Sequence, residues 1–313
     1  MAGVSIVVPS YNSRETIESC LKSLLAQKHE LDCEVILVDS SSDGTAEFVS
    51  KTFPQVKLIA MPERVLSGKA RNIGVSASVG EYILFIDSDC VAGNSWVEDM
   101  LAAHSQGDFA AVGGSVLNAN PESLVAWASY ITEFSEYMPV GPVRERISAP
   151  TCNICYRRRV FEKHAGFDET LRMYVDYEFN SRLRSYGERL LFVPHIRVRH
   201  HHRTSIGSYA KHELQRGRAA VMLRRSGLLP GGWAVRSRLL CSLVAPAMMA
   251  RRAMADIGRF VSSGMVPTGK LAAVAPSFAI GTICWGAGFL IEGLKPDYLR
   301  IDRNHRGPSF RTK

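Results

Sequence analysis

The stretch ILFIDSDC, residues 83–90, places two carboxylates one residue apart directly after a run of bulky apolar residues. Such a run predicts a buried β-strand, so Asp87 and Asp89 stand where that strand ends. Neighbouring acids repel each other unless solvent or a positive group separates them. The chemistry open to them is cation binding or nucleophilic attack, and the structural alternative is a strand end with two solvated acids.

Two functional interpretations compete for this pair. The spacing Asp87-x-Asp89-x-Val91 fits the nucleophile motif of aspartyl-phosphate phosphatases of the haloacid dehalogenase type, whose first Asp attacks phosphate. Those phosphatases usually carry the motif on their first strand, whereas here it follows the fourth predicted strand. In the other interpretation, the carboxylate oxygens hold Mg²⁺ or Mn²⁺, and the cation bridges a diphosphate.

Alternating strand and helix patterns position these acids. Apolar runs at 4–8, 35–38, 58–60 and 82–86 predict strands, and helical patterns separate them. Strands that are buried on both faces and bounded by helices predict an α/β fold with a parallel sheet. Such sheets bind ligands at the carboxyl ends of their strands. The polar residues at those ends are Tyr11, Asn12, Asp39, Asp87 and Asp89.

Two local signals predict where helices begin after the first two strands. Asn12 with Glu15 three residues later fits a capping box. The stretch 40–45 predicts a turn, in which Asp43 is expected to cap the following helix rather than bind a ligand.

Four stretches between residues 5 and 187 together resemble glycosyltransferase family 2. In order they are SIVVPSYN, VILVDSSSDGT, SGKARNIGVSASVGEYILFIDSD and HAGFDETLRMYVDYEFNSRLRSYG. The resemblance covers about the first two-thirds of the chain. It implies a GT-A catalytic domain at 1–205 with a Rossmann-like, mostly parallel sheet and flanking helices, an inverting reaction and a nucleotide-sugar donor.

The resemblance also implies a role for each polar residue at the sheet edge. The base and ribose would contact Pro9, Tyr11, Asn12 and Asp39, the diphosphate Lys69 and Arg71, the ribose or sugar Asp87, and the Mg²⁺ or Mn²⁺ ion Asp89. Electrostatics agrees, because a cation stabilises the charge that grows on the leaving diphosphate. Lys69 and Arg71 as solvated cations at a helix start remain the structural alternative.

An inverting transfer needs a base for the proton of the acceptor hydroxyl. In the resembled family this base is an acid in a Glu-Asp or Thr-Glu-Asp motif that opens a helix. Here the stretch 174–178 reads Tyr-Val-Asp-Tyr-Glu, with Val175 in place of the first acid. Asp176 is the predicted base and Glu178 the alternative. The structural alternative is a pair of acids that complements the helix dipole.

A basic, histidine-rich stretch follows at 193–225. Related enzymes often place a histidine here near the metal or diphosphate, so His200, His201 and His202 are candidate ligands, of which His200 or His202 is predicted. Residues 215–218 partly resemble the Q-x-x-R-W motif of processive polysaccharide synthases, with Ala219 in place of Trp. A processive synthase also needs a long bundle of membrane helices, and only fragments of one are present.

The two halves of the chain differ in charge. Residues 1–150 carry 10 Lys and Arg against 19 Asp and Glu, whereas residues 151–313 carry 28 against 11. Within a basic helical region predicted at 206–313, the uncharged segment 271–291 is long enough to cross a bilayer, and the shorter segment 239–250 suits an interface. Cations on every side define no orientation. Attachment to the cytoplasmic face of the cell membrane is favoured over a buried hairpin of a soluble protein.

The seven cysteines are odd in number and mostly lie in apolar surroundings, which indicates reduced thiols in a cytoplasmic setting. The one close pair, Cys152-x-x-Cys155, cannot complete a four-ligand zinc site.

These observations predict an enzyme that moves a sugar from a nucleotide-diphosphate donor, with inversion, to a hydroxyl of a lipid-linked or cell-surface glycan. A catalytically inactive GT-A binding module is one alternative, and the phosphatase is another. Nucleic-acid binding is disfavoured, because the cations are interspersed with apolar segments rather than with stacking aromatics. Neither the sugar, the nucleotide nor the acceptor is defined by sequence.

Overall fold

A computed structural model describes residues 3–27, 32–265 and 268–295. In this part of the chain nine strands form one sheet with helices on both sides. The strands are β1 Val4–Ser10, β2 Cys33–Asp39, β3 Lys57–Ala60, β4 Tyr82–Phe85, β5 Cys90–Ala92, β6 Ala111–Asn118, β7 Arg144–Glu145, β8 Ile154–Arg157 and β9 Leu190–His200. The helices are α1 Ile17–Leu25, α2 Thr45–Thr52, α3 Ser67–Ala77, α4 Trp96–His104, α5 Leu124–Phe134, α6 Arg159–Lys163, α7 Val175–Ser185, α8 Ile206–Arg225, α9 Arg238–Ser262 and α10 Thr268–Gly293.

The sheet has a parallel half and a mixed half. Strands β3, β2, β1 and β4 are adjacent and parallel, as the four apolar runs predicted. Beyond β4 the order continues β8, β6, β9, β5; β8 runs antiparallel to both of its neighbours, and β6 is parallel to β9. The short strand β5 follows the acidic pair and pairs antiparallel with the end of β9. This pairing places His200, about 110 residues further along the chain, next to the acidic pair.

Apolar layers cover both faces of the parallel half. Along β1, Ile6 faces the layer that contains Ile17 of α1, whereas Val7 faces the layer that contains Phe179 of α7. All of these side chains are fully buried. The alternation follows from the two-residue period of a strand, and burial on both sides explains the continuous apolar run in the sequence.

The capping box predicted at Asn12 is wrong. Helix α1 begins at Ile17 and has no side-chain cap. Asn12 has a positive φ of 52°, its N–H donates to the Ser41 hydroxyl at 2.7 Å, and its side-chain oxygen accepts from the N–H of Ser42 at 3.1 Å. Its hydrogen-bonding groups therefore hold the β2–α2 loop, a long-range contact that a local pattern does not reveal.

The start of α2 is close to the prediction. Asp43 accepts hydrogen bonds from both the N–H and the hydroxyl of Thr45, the first residue of the helix. The N-cap position itself belongs to Gly44, whose φ of 84° suits glycine. Asp43 thus organises the helix start from one residue further back.

The C-terminal helices pack against one another and against α5. Helix α10 lies so close to α8 that a Cβ atom on Gly217 would overlap the backbone of Trp285, and one on Gly281 would overlap the Tyr209 ring. Helix α9 runs antiparallel to α10, with Cys241 beside Gly293. The predicted segment 239–250 forms the first half of α9, and 271–291 lies within α10.

Candidate active site

The polar residues at the ends of β1 and β2 lie together at the carboxyl edge of the parallel strands. Asp39 ends β2, is buried, and accepts hydrogen bonds from the hydroxyl and N–H of Ser41 at 2.6 and 3.3 Å. Pro9 is buried within β1. The ring of Tyr11 is 41% exposed, and the Arg64 guanidinium stacks over it at 4.1 Å. This edge therefore offers an aromatic surface beside an oriented carboxylate.

Arg71 and Asp87 form an ion pair at the end of β4. The Arg71 guanidinium lies 2.6 Å from the Asp87 carboxylate, and its side chain is only 5% exposed. Lys69 lies two residues earlier on α3 and is exposed. Since two residues turn a helix by about 200°, the two cations occupy opposite sides of α3. Arg71 is thus held at the site by its ion pair with Asp87, whereas Lys69 is exposed to solvent.

Asp89 lies opposite a histidine, because β5 pairs with the end of β9. In this ladder Cys90 is the partner of His200, and His200 Nε2 lies 3.4 Å from Asp89 Oδ1. Burial raises the pKa of the Asp89 carboxyl, and the His200 charge opposes that effect. Ligand atoms of Asp89, Cys90 and His200 lie within 4.8 Å of one another. Burial raises the pKa of the Cys90 thiol, so the carboxylate and the imidazole are the suitable metal ligands.

His202 lies behind His200. The two rings stack with centroids 4.5 Å apart, and the rings of Phe134 and Tyr130 pack against His202. Neither nitrogen of His202 has a hydrogen-bond partner within the described residues, and burial holds its pKa well below the usual value. His202 is therefore neutral at physiological pH, and His200 is the histidine that faces Asp89.

Asp176 lies in the first turn of α7. Its carboxylate accepts a hydrogen bond from the N–H of Tyr177 at 2.8 Å. Burial raises the pKa of this carboxyl, and the positive charge of Arg71 opposes the rise. A carboxylate with a raised pKa is the better proton acceptor.

Glu178 is differently placed. It is buried and paired with Arg182 at 2.7 Å, and Arg182 also donates to the carbonyl groups of Ala165 and Gly166. Asp176 lines a cavity beside the first turn of α7, and Glu178 is not among the lining residues. The contacts of Glu178 therefore hold α7 against the preceding loop.

Backbone strain marks two positions of the site. Among the described residues, Asn12 and Tyr174 are the non-glycine residues with positive φ, at 52° and 60°. Asn12 follows β1, and Tyr174 directly precedes α7. Such conformations cost about 1–3 kcal/mol each and persist where surrounding contacts enforce them, often at functional sites.

A cavity of about 610 Å³ lies between the sheet domain and the C-terminal helices, and of the predicted site residues Arg71, Asp87 and Asp176 line it. Its walls include Arg71, Asp87 and Asp176 from the sheet domain and Arg216, Arg224, Arg251, Arg252 and Trp285 from α8, α9 and α10. The sequence did not reveal that these helices complete the site. The available signal was the strong basic excess of the second half of the chain.

Buried ion pairs fix the C-terminal helices over the cavity. Glu213 of α8 is fully buried between Arg216 and Arg252, both at 2.8 Å. Arg216 also donates to the carbonyl of Thr132 in α5. This Arg216 belongs to the stretch that partly resembled the processive-synthase motif, and here it joins α8 to α5.

The mixed sheet with helices on both sides defines a GT-A-like α/β protein with a cavity beside the end of β4. The chain belongs to glycosyl transferase family 2, whose sequence profile matches residues 5–165. It is therefore a nucleotide-sugar glycosyltransferase, and this membership replaces the phosphatase interpretation of Asp87.

Individual relatives share parts of the chain. It is 28% identical over 225 residues to the glycosyltransferase AglE of Haloferax volcanii, which covers 70% of this chain and 73% of AglE. It is 32% identical over 216 residues to chondroitin synthase of Pasteurella multocida, or 65% of this chain but 21% of that protein. The mannosyltransferase PcManGT from Pyrobaculum calidifontis, solved with GDP-Man and Mn²⁺, shares the fold at a TM-score of 0.59 and 19% identity, with 93% of this chain and 86% of that chain covered.

Proposed function

We propose that this glycosyltransferase transfers a sugar with inversion, in a metal-dependent reaction, to a hydroxyl of a lipid-linked or cell-surface glycan at the cytoplasmic face of the cell membrane. One observation carries the proposal: Asp176 opens into the same cavity as the Arg71–Asp87 pair. A base and a donor-binding carboxylate in one cavity are what a direct displacement requires.

The donor is held along the edge of the sheet. The nucleotide packs against Tyr11 and Asn12 and hydrogen-bonds to Asp39, and Arg71 orients Asp87 toward the ribose or the sugar. Asp89 and His200 fit a divalent cation, because an oxygen and an imidazole nitrogen face each other there. Mg²⁺ or Mn²⁺ held by these residues would neutralise charge on the leaving diphosphate. The presence of Mn²⁺ in the mannosyltransferase of the same fold supports this choice.

Asp176 takes the proton of the acceptor hydroxyl. The hydroxyl oxygen attacks the anomeric carbon, the bond to the nucleoside diphosphate breaks, and the proton passes to the Asp176 carboxylate. Attack from the side opposite the leaving group inverts the anomeric centre. Glu178 takes no part in this step, because Arg182 holds its carboxylate outside the cavity.

The donor assignment predicts nucleotide binding that stabilises the fold. Full-length protein incubated with GDP- or UDP-sugars and Mn²⁺ is expected to bind one of them, which at 100 times Kd adds about 2.7 kcal/mol to the free energy of unfolding. Thermal unfolding with each donor measures this gain. The proposal fails if none of a full panel of nucleotide sugars raises Tm, or if the wild-type protein gains equally with EDTA in place of Mn²⁺.

The outer surface of α9 and α10 supports the membrane assignment. Helix α10 includes a segment, Gly269–Gly293, that is long and apolar enough to span a bilayer. Its inner side packs into the protein through Trp285 and Phe289, and its exposed positions between 272 and 294 are all apolar. Helix α9 also exposes large apolar side chains, alongside Arg238 and Arg251. The exposed large apolar residues of the two helices and of the position directly after α10 are Leu239, Leu243, Met254, Val261, Ile280, Ile283, Ile291 and Leu294.

This distribution favours helices that lie in the interface over a free-standing span. A helix that crosses a bilayer alone would not use one side to bury aromatic residues against a charged, water-soluble domain. The face defined by those eight residues, here called the apolar outer face, would instead enter the headgroup region. Cations beside it, including Arg236, Arg238 and Lys270, suit anionic lipid.

Charged residues on the apolar outer face are expected to release the protein from membranes. The double variant Leu243→Asp/Ile283→Asp should bind vesicles that contain phosphatidylglycerol at least tenfold more weakly, because each lost apolar side chain removes about 1.5–3 kcal/mol of burial. Cosedimentation measures binding. Val79→Asp, at an exposed position of the sheet domain, is the matched control and should bind normally. Complete release of the wild type by 1 M salt would instead assign attachment to charge alone.

A further inference from the structure

Three arginines line the cavity without a carboxylate partner among the described residues. Arg172 precedes α7, Arg224 lies in the last turn of α8, and Arg251 lies near Arg224 in α9. Within the described residues, Arg172 and Arg251 make no hydrogen bond or ion pair. Arg224 donates one bond to the carbonyl of Ala220, and its buried Nε has no partner there. The cavity wall therefore carries uncompensated positive charge.

The other arginines that line the cavity have carboxylate partners. Arg216 binds Glu213, Arg252 binds Glu213 and Asp256, and Arg259 binds Asp256. The fold thus supplies acids to the arginines that join helices. The three arginines of the cavity wall lack such acids, so their guanidinium groups are available to a bound anion.

The surroundings of Arg224 favour a bound anion. Burial lowers the pKa of Arg224, and the charge of nearby Arg251 lowers it further. Arg224 is half-buried and Arg251 is exposed, so an anion bound between them would relieve their repulsion. A guanidinium presents parallel N–H donors that match two oxygens of a phosphate.

Arg224 and Asp176 have different charged neighbours. Asp176 lies near Arg71 and Asp87. Arg224 lies near Arg251, Tyr174 and Tyr177.

Apolar residues accompany the arginines. Leu229 and Met248 line the same cavity, and Met248 lies one turn from Arg251 on α9. The outer side of α9 carries the exposed Leu243 and Met254. A phosphate bound by the cluster would thus stand next to a surface suited to a hydrocarbon chain.

We infer that the acceptor is phosphorylated, and that Arg172, Arg224 and Arg251 bind its phosphate or diphosphate while Asp176 meets its hydroxyl. The inference rests on the proposed function and names the acceptor class for that site. The phosphate belongs either to a lipid-linked acceptor, whose chain would follow Met248 toward the apolar outer face, or to a soluble phosphorylated glycan.

The test uses full-length protein in detergent with EDTA, so that the metal-dependent donor site is silent. Inorganic pyrophosphate and farnesyl diphosphate serve as probes in titration calorimetry, with farnesol as the uncharged control. Both diphosphates are expected to bind the wild type. Arg224→Gln and Arg251→Gln should each weaken binding about tenfold or more, and Arg224→Lys should lose less. Lys211→Gln, exposed on the same helix as Arg224, should change nothing.

The outcomes distinguish the two possible sources of the phosphate, and they distinguish a failure of this inference from a failure of the proposed function. Tighter binding of farnesyl diphosphate than of pyrophosphate supports a lipid-linked acceptor, and equal binding supports a soluble one. The inference is overturned if neither diphosphate binds in EDTA, if both Gln variants with wild-type Tm bind normally, or if Asp87→Asn abolishes binding. Asp89→Asn should retain pyrophosphate binding. Loss of nucleotide binding with pyrophosphate binding intact would count against the proposed function alone.

Discussion

Replacement of Asp176 by asparagine is expected to lower sugar transfer by about 10²–10⁴-fold while nucleotide binding stays near the wild-type level. The substitution removes the proton acceptor but preserves the size of the side chain and leaves the Arg71–Asp87 pair and Asp89 in place. Steady-state kinetics should therefore show the loss in kcat, and titration of the nucleotide should show little change.

The pH dependence gives a second measure of the same role. The base works in its deprotonated form, so the rate should fall as pH falls through the pKa of Asp176. Burial raises that pKa above the usual carboxyl value, and the acidic limb should accordingly begin at a higher pH than an exposed aspartate would give. The Asp176→Asn variant should lack this limb.

Glu178→Gln is the matched control. Because Glu178 is buried against Arg182, this change should lower the free energy of unfolding by about 1–3 kcal/mol and leave kcat within a few-fold. If Glu178→Gln is inactive while Asp176→Asn turns over normally, the base must be reassigned two residues along α7.

The second large effect concerns the cation. Asp89→Asn is expected to abolish the dependence of nucleotide binding on Mn²⁺ or Mg²⁺ and to weaken binding in Mn²⁺ about 10²-fold, since the cation supplies several kcal/mol of charge stabilisation. His200→Ala should weaken nucleotide binding in Mn²⁺ about 10–100-fold. Calorimetry with and without EDTA measures both.

His202→Phe discriminates between the two histidines. His202 lies among aromatic rings and faces His200 rather than Asp89, so a phenylalanine should fill its place with a much smaller effect on the metal dependence. The assignment of His200 would be contradicted if His202→Phe removed the metal dependence and His200→Ala did not.

The sequence predicted the parallel half of the sheet because its signals are local. Apolar runs buried on both faces identify β1 to β4, and the acids follow directly from where β2 and β4 end. The mixed half of the sheet could not be predicted from local patterns, because the pairing of β5 with β9 joins Cys90 to His200, which lie far apart in the sequence. That one pairing decides which histidine faces Asp89.

Other features depend on tertiary contacts of the same kind. Asn12 fits the sequence pattern of a helix cap, yet its side-chain oxygen accepts a hydrogen bond from Ser42 in the β2–α2 loop. Lys69 and Arg71 are equivalent by composition, and only the packing of α3 sends Arg71 to Asp87 and Lys69 to solvent. The arginine cluster combines the segment before α7 with α8 and α9, and only the tertiary fold brings these three elements to one cavity.

The most direct test of the central claim is the anomeric configuration of the product, read by NMR with the donor that the thermal screen identifies. Wild-type protein with Mn²⁺ and a membrane extract as acceptor source is expected to convert an α-linked donor sugar into a β-linked product. Under the same conditions Asp176→Asn should form about 1% or less of that product. An α-linked product from the wild type, or an undiminished yield from Asp176→Asn, would contradict a displacement in which Asp176 deprotonates the acceptor.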